Sequence, residues 1–255
     1  MTSGMLLHTD GLVAGYPRHR VTSPLTLGLP EGSLTVLLGA NGCGKSTLLR
    51  TICGNQAALE GHVSIAGRDL RRMSATERAR SVSLVCTDRS MAGGLTVEET
   101  VALGRHPHTG FFGRMGRADR RAVDEAMEAM GIGEMRLRHT ATLSDGERQK
   151  TMIARALAQS TPLIVLDEPT SFLDVASRLD VMALLSRLAE SGKTILLSTH
   201  DVGEALQVAD RAWLMADGSV TAGTVDALKS AGAFGRLFAG RGITFDTAAG
   251  DYRLK

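Results

Sequence analysis

A glycine-rich loop between an apolar segment and a helix constrains the fold of this chain most strongly. Residues 33–38 (S-L-T-V-L-L) predict a buried strand, and residues 45–53 predict a helix that ends near Gly54. Between them, residues 39–47 read G-A-N-G-C-G-K-S-T, the pattern of a phosphate-binding loop. Glycines let consecutive backbone N–H groups converge on phosphate oxygens, and the helix N-terminus adds a positive partial charge. This order predicts an α/β fold with a phosphate site at the end of a strand.

Two side chains of the loop have predicted roles of their own. Lys45 would neutralise the β- and γ-phosphates of a nucleotide, and Ser46 would hold Mg²⁺. The alternative is a chance glycine turn before a helix, which would not require a lysine and a serine at these positions. The predicted nucleotide-binding residues of the loop are Gly39, Ala40, Asn41, Gly42, Cys43, Gly44, Lys45, Ser46 and Thr47.

A second motif places carboxylates at the end of another apolar segment. Residues 163–168 read L-I-V-L-D-E, so a strand is predicted to end at Asp167 and Glu168. Ligands of α/β proteins bind at the carboxyl ends of strands. Asp167 would bind Mg²⁺ directly or through water, and Glu168 would polarise an attacking water. A charged turn after a buried strand is the alternative, and the preceding phosphate loop argues against it.

The other segments predict strands alternating with helices. Strands are predicted at 62–66, 81–86 and 194–198, helices at 177–191 and 202–208, and a hairpin at 211–224. From about 96 to 131 the pattern is helical. An apolar stripe in that region, typical of a packed core, consists of Ala122, Val123, Ala126, Met127 and Met130. We therefore expect one α/β domain over 1–255 with a mostly parallel sheet, a core of about 1–87 and 144–255, and an inserted helical subdomain of about 88–143.

Composition and charge restrict the class of protein. The 255 residues are 43% hydrophobic and 22% charged, which indicates an ordinary globular chain. A net charge of +2 with scattered basic residues argues against a nucleic-acid partner. Three cysteines without paired spacing indicate neither a disulfide framework nor a zinc site, and we expect a reducing cytosol. We expect no signal peptide, because residues 1–10 have no basic start and no apolar core of the required length. We expect no transmembrane segment, because no stretch reaches the ~20 apolar residues that span a bilayer.

One segment narrows the choice among nucleotide-binding families. Residues 143–150 read L-S-D-G-E-R-Q-K and closely resemble the signature sequence of ABC-type ATPases, and residues 153–157 (I-A-R-A-L) follow as in that family. The resemblance covers nearly the whole chain. It implies ATP as the nucleotide, ATP hydrolysis as the activity, and an ABC nucleotide-binding domain with a P-loop NTPase core, an antiparallel β subdomain and an inserted helical subdomain.

The resemblance also implies roles for single residues. Tyr16 stands where the family stacks an aromatic ring on adenine, and His200 matches the switch histidine that contacts the γ-phosphate. Residues 171–174 (S-F-L-D), ending at Asp174, match the loop that signals between subunits. Taken alone, Tyr16 would be a surface aromatic and His200 a structural histidine. Their order among the other motifs favours the family roles, so Glu168 and His200 are the predicted catalytic residues.

A dimer is implied by the same resemblance, because in the family two domains sandwich two ATP molecules. Each ATP would contact the phosphate loop of one chain and the signature of the other, so we expect a second copy of this chain as a partner. The residues expected to act across the dimer are Ser144, Asp145, Gly146 and Glu147. Ser144 would donate to the γ-phosphate, with support from the positive end of its helix.

This chain departs from the family pattern at two positions. Asp145 stands where the family usually has a second glycine, so its carboxylate must point away from the γ-phosphate or cap the helix, and Asp is a preferred N-cap residue. Thr87 stands where the family has a glutamine that reaches Mg²⁺. Its shorter side chain could act on Mg²⁺ only through a bridging water, which is the role we predict, and Asp88 is the alternative.

The type of ABC protein is narrowed by further resemblance. Soluble ABC proteins of DNA repair contain a long coiled coil, and those of translation contain two cassettes in tandem. This sequence shows neither feature, so a transporter subunit is favoured. Residues 101–113 (V-A-L-G-R-H-P-H-T-G-F-F-G) and 118–120 (A-D-R) are similar to import ATPases for ferric siderophores, haem and cobalamin. That similarity implies a membrane permease and a substrate-binding protein as partners, and a peripheral position on the cytoplasmic face of the inner membrane. Lipoprotein release, export and import of another metal remain open.

Two further hypotheses concern residues of these motifs. Cys43 lies beside a helix N-terminus and Lys45, which would favour a reactive thiolate, and an inert residue in a tight turn is the alternative. Phe111 and Phe112 would anchor a permease helix, and packing inside the helical subdomain is the alternative.

Overall fold

The structure, a computed structural model, describes residues 4–86, 94–110, 113–237, 243–246 and 249–254. Its strands are β1 (Met5–Val13), β2 (Gly15–Tyr16), β3 (His19–Arg20), β4 (Gly28–Pro30), β5 (Leu34–Gly39), β6 (Glu60–Ile65), β7 (Arg68–Asp69), β8 (Val82–Val85), β9 (Leu163–Asp167), β10 (Thr194–Thr199), β11 (Arg211–Ala216), β12 (Ser219–Thr224), β13 (Ile243–Asp246) and β14 (Asp251–Leu254). Its helices are α1 (Lys45–Ile52), α2 (Ala75–Ser81), α3 (Val97–Ala102), α4 (Arg117–Ala129), α5 (Asp145–Ala158), α6 (Val175–Glu190), α7 (Val202–Val208), α8 (Val225–Ser230) and α9 (Ala233–Leu237). None of the helices in these ranges is long and apolar enough to cross a membrane.

A sheet of six of these strands has the order β12-β11-β5-β10-β9-β8. The strands from β11 to β8 pair in parallel, and β12 pairs antiparallel with β11 across the turn at Asp217 and Gly218. Strands β5, β9 and β10 are buried along their whole length. Parallel strands covered on both faces have continuous apolar sequences, which is why the sequence marks them clearly. The predicted mostly parallel sheet and the predicted hairpin at 211–224, formed by β11 and β12, are confirmed.

Two core clusters lie on opposite faces of this sheet. Ile195 and Leu197 of β10 belong to a cluster that includes residues of α5, α6 and α7. Leu196 belongs to the other cluster, which includes α1 and the antiparallel sheet. Successive side chains of a strand point to opposite faces. The even-numbered positions of β10 therefore face α1, which starts at the phosphate loop.

A second, antiparallel sheet with the order β4-β1-β6-β7 packs on the α1 side, and this β subdomain was implied by the family resemblance. The sequence alone marked only β6, at 62–66. It did not mark β1, whose apolar pattern is interrupted by His8, Thr9 and Asp10. Thr9 is nevertheless fully buried, because its hydroxyl donates to Leu25 O (3.0 Å) and accepts from the N–H of Leu27 (2.9 Å).

The helical pattern predicted from 96 to 131 is interrupted in the structure. After α3 comes a single 3₁₀ turn, Leu103–Arg105, and α4 begins only at Arg117. The prediction is therefore wrong for the described residues 106–110 and 113–116. Pro107 cannot donate a helical hydrogen bond, and Gly110 and Gly113 have low helix propensity. Of the predicted apolar stripe, Val123, Ala126 and Met127 of α4 and the following Met130 are buried in the core as expected, whereas Ala122 is only half-buried. The predicted subdomain boundary at 87 and 88 lies outside the described residues and stays a prediction.

The C-terminal elements were not predicted. Strands β13 and β14 form a hairpin, and Tyr252 Oη donates to Phe234 O of α9 at 2.7 Å. The ring of Phe245 stacks on that of Phe234 with centroids 4.8 Å apart. Strand β14 packs against α7, so this hairpin supports a helix that begins two residues after His200.

Candidate functional site

The predicted phosphate loop connects β5 to α1 at the carboxyl edge of the six-stranded sheet. Gly44 is the N-cap residue of α1 and offers no side chain to the N–H groups of the first turn. Its backbone is left-handed (φ = 107°), and an added Cβ would overlap Val21 Cγ1. Backbone conformation and space both require glycine here. The positive end of α1 is therefore open to an anion.

Lys45 is buried although it carries a charge, with 5% of its surface exposed. Its Nζ donates to Gly39 O at 3.0 Å and to Ala40 O at 3.4 Å, so the side chain curves back over its own loop. The same Nζ lies 3.9 Å from Glu168 Oε1. The ammonium group is thus held at the loop, beside the carboxylate that follows β9.

A depression beside the loop brings several predicted site residues together. Its lining residues are Asn41, Gly42, Gly44, Lys45, Ser46, Thr47, Glu168, Ser171, Phe172 and His200. Glu168 and His200 therefore lie with the phosphate loop. Tyr16 is not a lining residue and lies on β2 with 48% of its surface exposed. Gly39, Ala40 and Cys43 belong to the loop but do not line the depression.

Glu168 occupies the centre of this arrangement. Its backbone is left-handed (φ = 50°), which is unusual for a residue with a side chain. Glu168 Oε2 accepts a hydrogen bond from Ser171 Oγ at 2.9 Å, and His200 Nδ1 lies 3.8 Å from the same oxygen. The carboxylate is thus flanked by a lysine, a serine and a histidine. Such a group can accept a proton or a hydrogen bond from a water in the depression.

Asp167 is the last residue of β9 and is buried. Its Oδ1 accepts a hydrogen bond from Ser198 Oγ at 2.7 Å. Asp167 and Ser198 are paired positions of the neighbouring strands β9 and β10. The first of the two predicted carboxylates is therefore fixed by the sheet itself.

The signature segment begins α5, and the residue that caps this helix is Ser144 and not Asp145. Ser144 is the N-cap residue: its Oγ accepts from the N–H of Glu147 at 3.3 Å, and Glu147 Oε2 accepts from the N–H of Ser144 at 2.8 Å. Asp145 is the first residue of the helix, so the idea that Asp145 caps α5 is wrong. Its charge still lies in the first turn, where a carboxylate interacts favourably with the helix dipole. The reciprocal bonds of a capping box select Ser144 over Asp145.

Arg138 was not predicted as a site residue, yet it contacts the signature directly. Its Nη1 and Nη2 lie 2.7 Å and 3.2 Å from the two carboxylate oxygens of Glu147. These hydrogen bonds, followed by the one from the Ser144 backbone, hold the pKa of Glu147 below its usual value. Glu147 is thus an ionised residue whose charge is balanced within the same chain.

A second depression contains the signature. Its lining residues are Asp124, Met127, Glu128, Gly131, Gly133, Glu134, Met135, Arg136, Arg138, Ser144, Gly146, Glu147, Lys150 and Ser177. Among the described residues, it shares none with the depression at the phosphate loop. The two groups of predicted nucleotide contacts therefore open onto separate surfaces of one chain.

The segment 171–174 lies between these two surfaces. Phe172 lines the first depression with 72% of its surface exposed and a left-handed backbone (φ = 70°). Asp174 caps α6, accepting from the N–H of Ser177 at 2.9 Å and from Ser177 Oγ at 2.9 Å. Ser177 lines the second depression. This loop thus connects the two candidate surfaces.

The remaining hypotheses have different outcomes. Cys43 is partly buried and packs against the core cluster on the α1 side, which favours a small residue that fills a turn over a reactive thiol. Thr87, Asp88, Phe111 and Phe112 lie outside the described residues, so their proposed roles stay predictions.

Sequence reasoning missed the hydroxyls that position the carboxylates. Ser171 contacts Glu168, and Ser198 contacts both Asp167 and the backbone of Glu168. One signal was available for Ser198. It is a polar residue in an otherwise apolar strand, one residue from the carboxyl end where ligands bind in α/β folds.

The fold and the site define a class of protein. The sheet is mostly parallel, and a glycine-rich loop with a lysine joins β5 to a helix. Two carboxylates end β9, which is separated from β5 by one strand, β10. This is the architecture of a P-loop nucleotide hydrolase. Residues 22–171 match the sequence profile of the ABC transporter family, and the chain belongs to this family. It is therefore an ABC-type ATPase that binds ATP.

Individual relatives agree with this assignment. The chain is 38% identical over 217 residues to the ferric enterobactin transport ATP-binding protein FepC of Escherichia coli, covering 85% of this chain and 80% of that protein. It is 40% identical over 200 residues to the iron(3+)-hydroxamate import ATP-binding protein FhuC of Bacillus subtilis, covering 78% and 74%. A solved ATP-binding subunit of an ABC transporter superposes with a TM-score of 0.78 at 26% identity, covering 91% of this chain and 98% of that one.

Proposed function

We propose that this chain is the ATP-hydrolysing subunit of an importer for a metal chelate of the ferric-siderophore, haem or cobalamin type. The names of the two bacterial relatives, which concern ferric enterobactin and iron(3+)-hydroxamate, support a ferric-siderophore cargo first. The resemblance of residues 101–113 to import ATPases for ferric siderophores, haem and cobalamin supports import of this class of cargo without distinguishing its members. Import is favoured over lipoprotein release and export on these grounds.

One observation carries the catalytic part of the proposal: Glu168 lies between Lys45 and His200 at the open end of the phosphate loop. With ATP bound, the backbone N–H groups of the loop would hold the phosphates. Lys45 Nζ would leave the carbonyls of Gly39 and Ala40 and bind the β- and γ-phosphates. Glu168 would accept a hydrogen bond from the water that attacks the γ-phosphorus, and His200 would contact the γ-phosphate. Tyr16 would stack on the adenine.

The donor set at this site fits Mg²⁺. Ser46 lines the depression. Asp167 does not line it, but this buried residue ends β9 and directly precedes the lining residue Glu168. The hydroxyl and the carboxylate are both hard oxygen donors of the type that Mg²⁺ prefers. When bound, Mg²⁺ would neutralise negative charge on the β- and γ-phosphates. Thr87 stays a proposed indirect contributor through water.

We propose that the working form is a dimer in which the signature of one copy faces the phosphate loop of the other. The separation of the two depressions supports this, because the predicted nucleotide contacts are divided between two sets of described residues that do not overlap. Ser144 Oγ accepts a hydrogen bond within its own helix, so its proton can be donated to a γ-phosphate of the partner site. Asp145, Gly146 and Glu147 would lie beside it.

Exposed apolar residues in the segment that follows Ser171 also suit a dimer. Phe172, Val175 and Leu179 are 72%, 59% and 48% exposed, and they lie close together in sequence at the start of α6. Burial of such residues against a second copy would remove apolar surface from water. Asp174 would lie in the same contact and connect the two subunits.

The other partners are proposed from the relatives. The transport names of FepC and FhuC support a membrane permease as a partner, with a substrate-binding protein beyond it. We place the chain on the cytoplasmic face of the inner membrane, as a peripheral subunit. The single-domain organisation, with a core of about 1–87 and 144–255 and a helical subdomain of about 88–143, is part of this proposal.

Uptake measurements in the source cell test the proposed function. Deletion of the gene should abolish energy-dependent uptake of one radiolabelled chelate, whether a ferric siderophore, haem or cobalamin. The intact chain should restore uptake, whereas the Glu168→Gln chain should not. Undiminished uptake of all three chelates in the deletion strain would overturn the import proposal and leave lipoprotein release, export or another metal.

A further inference from the structure

Ser198 carries a buried hydroxyl beside the peptide that joins Asp167 to Glu168. It is the fifth residue of β10, is 0% exposed, and pairs with Asp167 of β9 on one side and Leu37 of β5 on the other. Its position in the alternation places it on the α1 face, with Leu196. Asp167 lies on that same face, since Val165 of β9 belongs to the same core cluster.

The hydroxyl makes one hydrogen bond to each carboxylate residue. Ser198 Oγ donates to Asp167 Oδ1 at 2.7 Å and accepts from the backbone N–H of Glu168 at 3.0 Å. A serine hydroxyl has a single proton, so its donation to Asp167 is committed and its lone pairs are available to Glu168. The same N–H of Glu168 lies 3.1 Å from Ser198 O, so this one donor is shared between the hydroxyl and the backbone carbonyl of Ser198.

That peptide needs support. A left-handed conformation at a residue with a side chain costs about 1–2 kcal/mol, and Glu168 adopts it with φ = 50°. Without this conformation the Glu168 side chain would leave its position between Lys45 and His200. The hydrogen bond that Ser198 accepts from the Glu168 N–H holds the backbone in this state, and the one that its hydroxyl donates orients the carboxylate of Asp167.

We propose that Ser198 is a positioning residue for ATP hydrolysis, which sets the metal-binding and water-polarising carboxylates relative to each other through one hydroxyl. The inference deepens the proposed function and rests on the roles that it gives to Asp167 and Glu168. A serine that only filled space in the sheet would be replaceable by alanine, whereas a positioning residue would not.

The test compares two buried serines of the same sheet in the purified full chain. Ser198→Ala removes the hydroxyl at the site. Ser83→Ala is the matched control, because Ser83 is 1% exposed on β8, pairs with Ile164 near the other end of β9, and has Thr161 Oγ as its partner at 3.1 Å. Ser198→Thr restores a hydroxyl on a residue type that strands favour.

We expect kcat of Ser198→Ala to fall about ten- to hundredfold, as for the loss of hydrogen bonds to a charged group, with little change in KM for ATP. Ser198→Thr should recover most of the rate, and Ser83→Ala should stay near the parental value. The second readout is Mn²⁺ binding in the presence of ADP, followed by electron paramagnetic resonance. Ser198→Ala should weaken it, and Ser83→Ala should not.

Equal kcat and equal Mn²⁺ affinity in Ser198→Ala and Ser83→Ala would overturn the proposal. The Mn²⁺ measurement needs no turnover, so it tests Ser198 even if Glu168→Gln shows that the catalytic assignment of Glu168 is wrong. Circular dichroism establishes that each variant is folded. If Ser198→Ala is not folded, Ser198→Cys takes its place, since a thiol keeps the size of the side chain and is a weak hydrogen-bond partner.

Discussion

Nζ of Lys45 lies 3.9 Å from Oε1 of Glu168, so the cation of the phosphate loop and the carboxylate after β9 meet in one depression. The two residues are far apart in sequence and are brought together by β5, β10 and β9, which are neighbours in the sheet. A nucleotide phosphate that binds Lys45 would therefore lie within reach of Glu168.

Glu168→Gln should bind ATP and fail to turn it over. The amide keeps the size of the side chain but cannot take up a proton, so kcat should fall by about 10²–10⁴. Binding of a fluorescent ATP analogue should be unchanged, and an ATP-bound dimer should accumulate on size-exclusion chromatography. Glu31→Gln, an exposed residue in the turn between β4 and β5, is the control. Near-parental hydrolysis by Glu168→Gln would show that this carboxylate is not the group that activates water.

Gly44→Ala should destabilise the chain more than an alanine at another left-handed glycine. The added Cβ would overlap Val21 Cγ1, whereas at Gly67 (φ = 73°) it would meet no atom within 4 Å. We expect about 1–3 kcal/mol beyond the backbone strain common to both variants, measured by urea unfolding. Gly44→Ala combined with Val21→Ala should recover part of the difference, because the clashing methyl group is removed. No recovery would show that backbone strain alone sets the cost.

Glu147 should make the unfolding free energy depend on pH. Its pKa is held below the ordinary 4.5 first by Arg138 and then by the Ser144 backbone. Because the folded-state pKa is the lower one, the carboxylate stabilises the folded chain above pH 4.5, and this contribution disappears as the pH falls through the folded-state pKa. The side chain is 30% exposed, so we expect only about 0.5–1 kcal/mol.

The measurement for Glu147 is a set of urea titrations at several pH values. Glu147→Gln should be less stable than the parent at pH 7, and the two should converge under acidic conditions. Arg138→Gln should show the same convergence with a smaller difference. A constant difference at all pH values would mean that the ionised carboxylate is not the source of the stabilisation.

Two arginines of the helical region should differ sharply in their contribution to stability. Arg105 is 7% exposed and bonds Asp119 at 3.0 Å and Ala158 O at 2.7 Å, whereas Arg121 pairs with Glu125 on an exposed helix surface. Arg105→Ala would leave Asp119 without its buried cation and should cost about 3–5 kcal/mol. Arg121→Ala should cost at most about 0.5 kcal/mol. Thermal and urea unfolding of the two variants check this ranking, which equal losses would contradict.

The sequence predicted the elements that have a continuous apolar pattern or a characteristic local motif. Strands β5, β9 and β10, the phosphate loop and the hairpin of β11 and β12 have local sequence patterns. The structure has these elements within one or two residues of the expected positions. Strand β1 was missed because the buried hydroxyl of Thr9 is satisfied by the distant backbone at Leu25 and Leu27. A pairing of this kind leaves no periodic signal in the sequence.

The sequence predicted which residues gather at the candidate site better than it predicted the hydrogen bonds that hold them there. Glu168, His200 and the loop share one depression as expected, because motif spacing and strand order determine it. The choice of Ser144 over Asp145 as the cap depends on the reciprocal bond from Glu147, and the contact of Ser198 depends on the register of β9 and β10. Both require knowledge of which backbone atoms face each other.

The separation of the two depressions has a genetic consequence. In the proposed dimer every nucleotide is enclosed by two chains, so one inactive copy affects both of the sites to which it contributes. When the Glu168→Gln chain is expressed in a cell that also makes the normal chain, the two chains should form mixed dimers. Uptake should therefore be inhibited even though the normal chain is present. A variant that also carries Gly146→Arg, which would obstruct the signature next to Ser177, should lose this dominance if it can no longer join the normal chain.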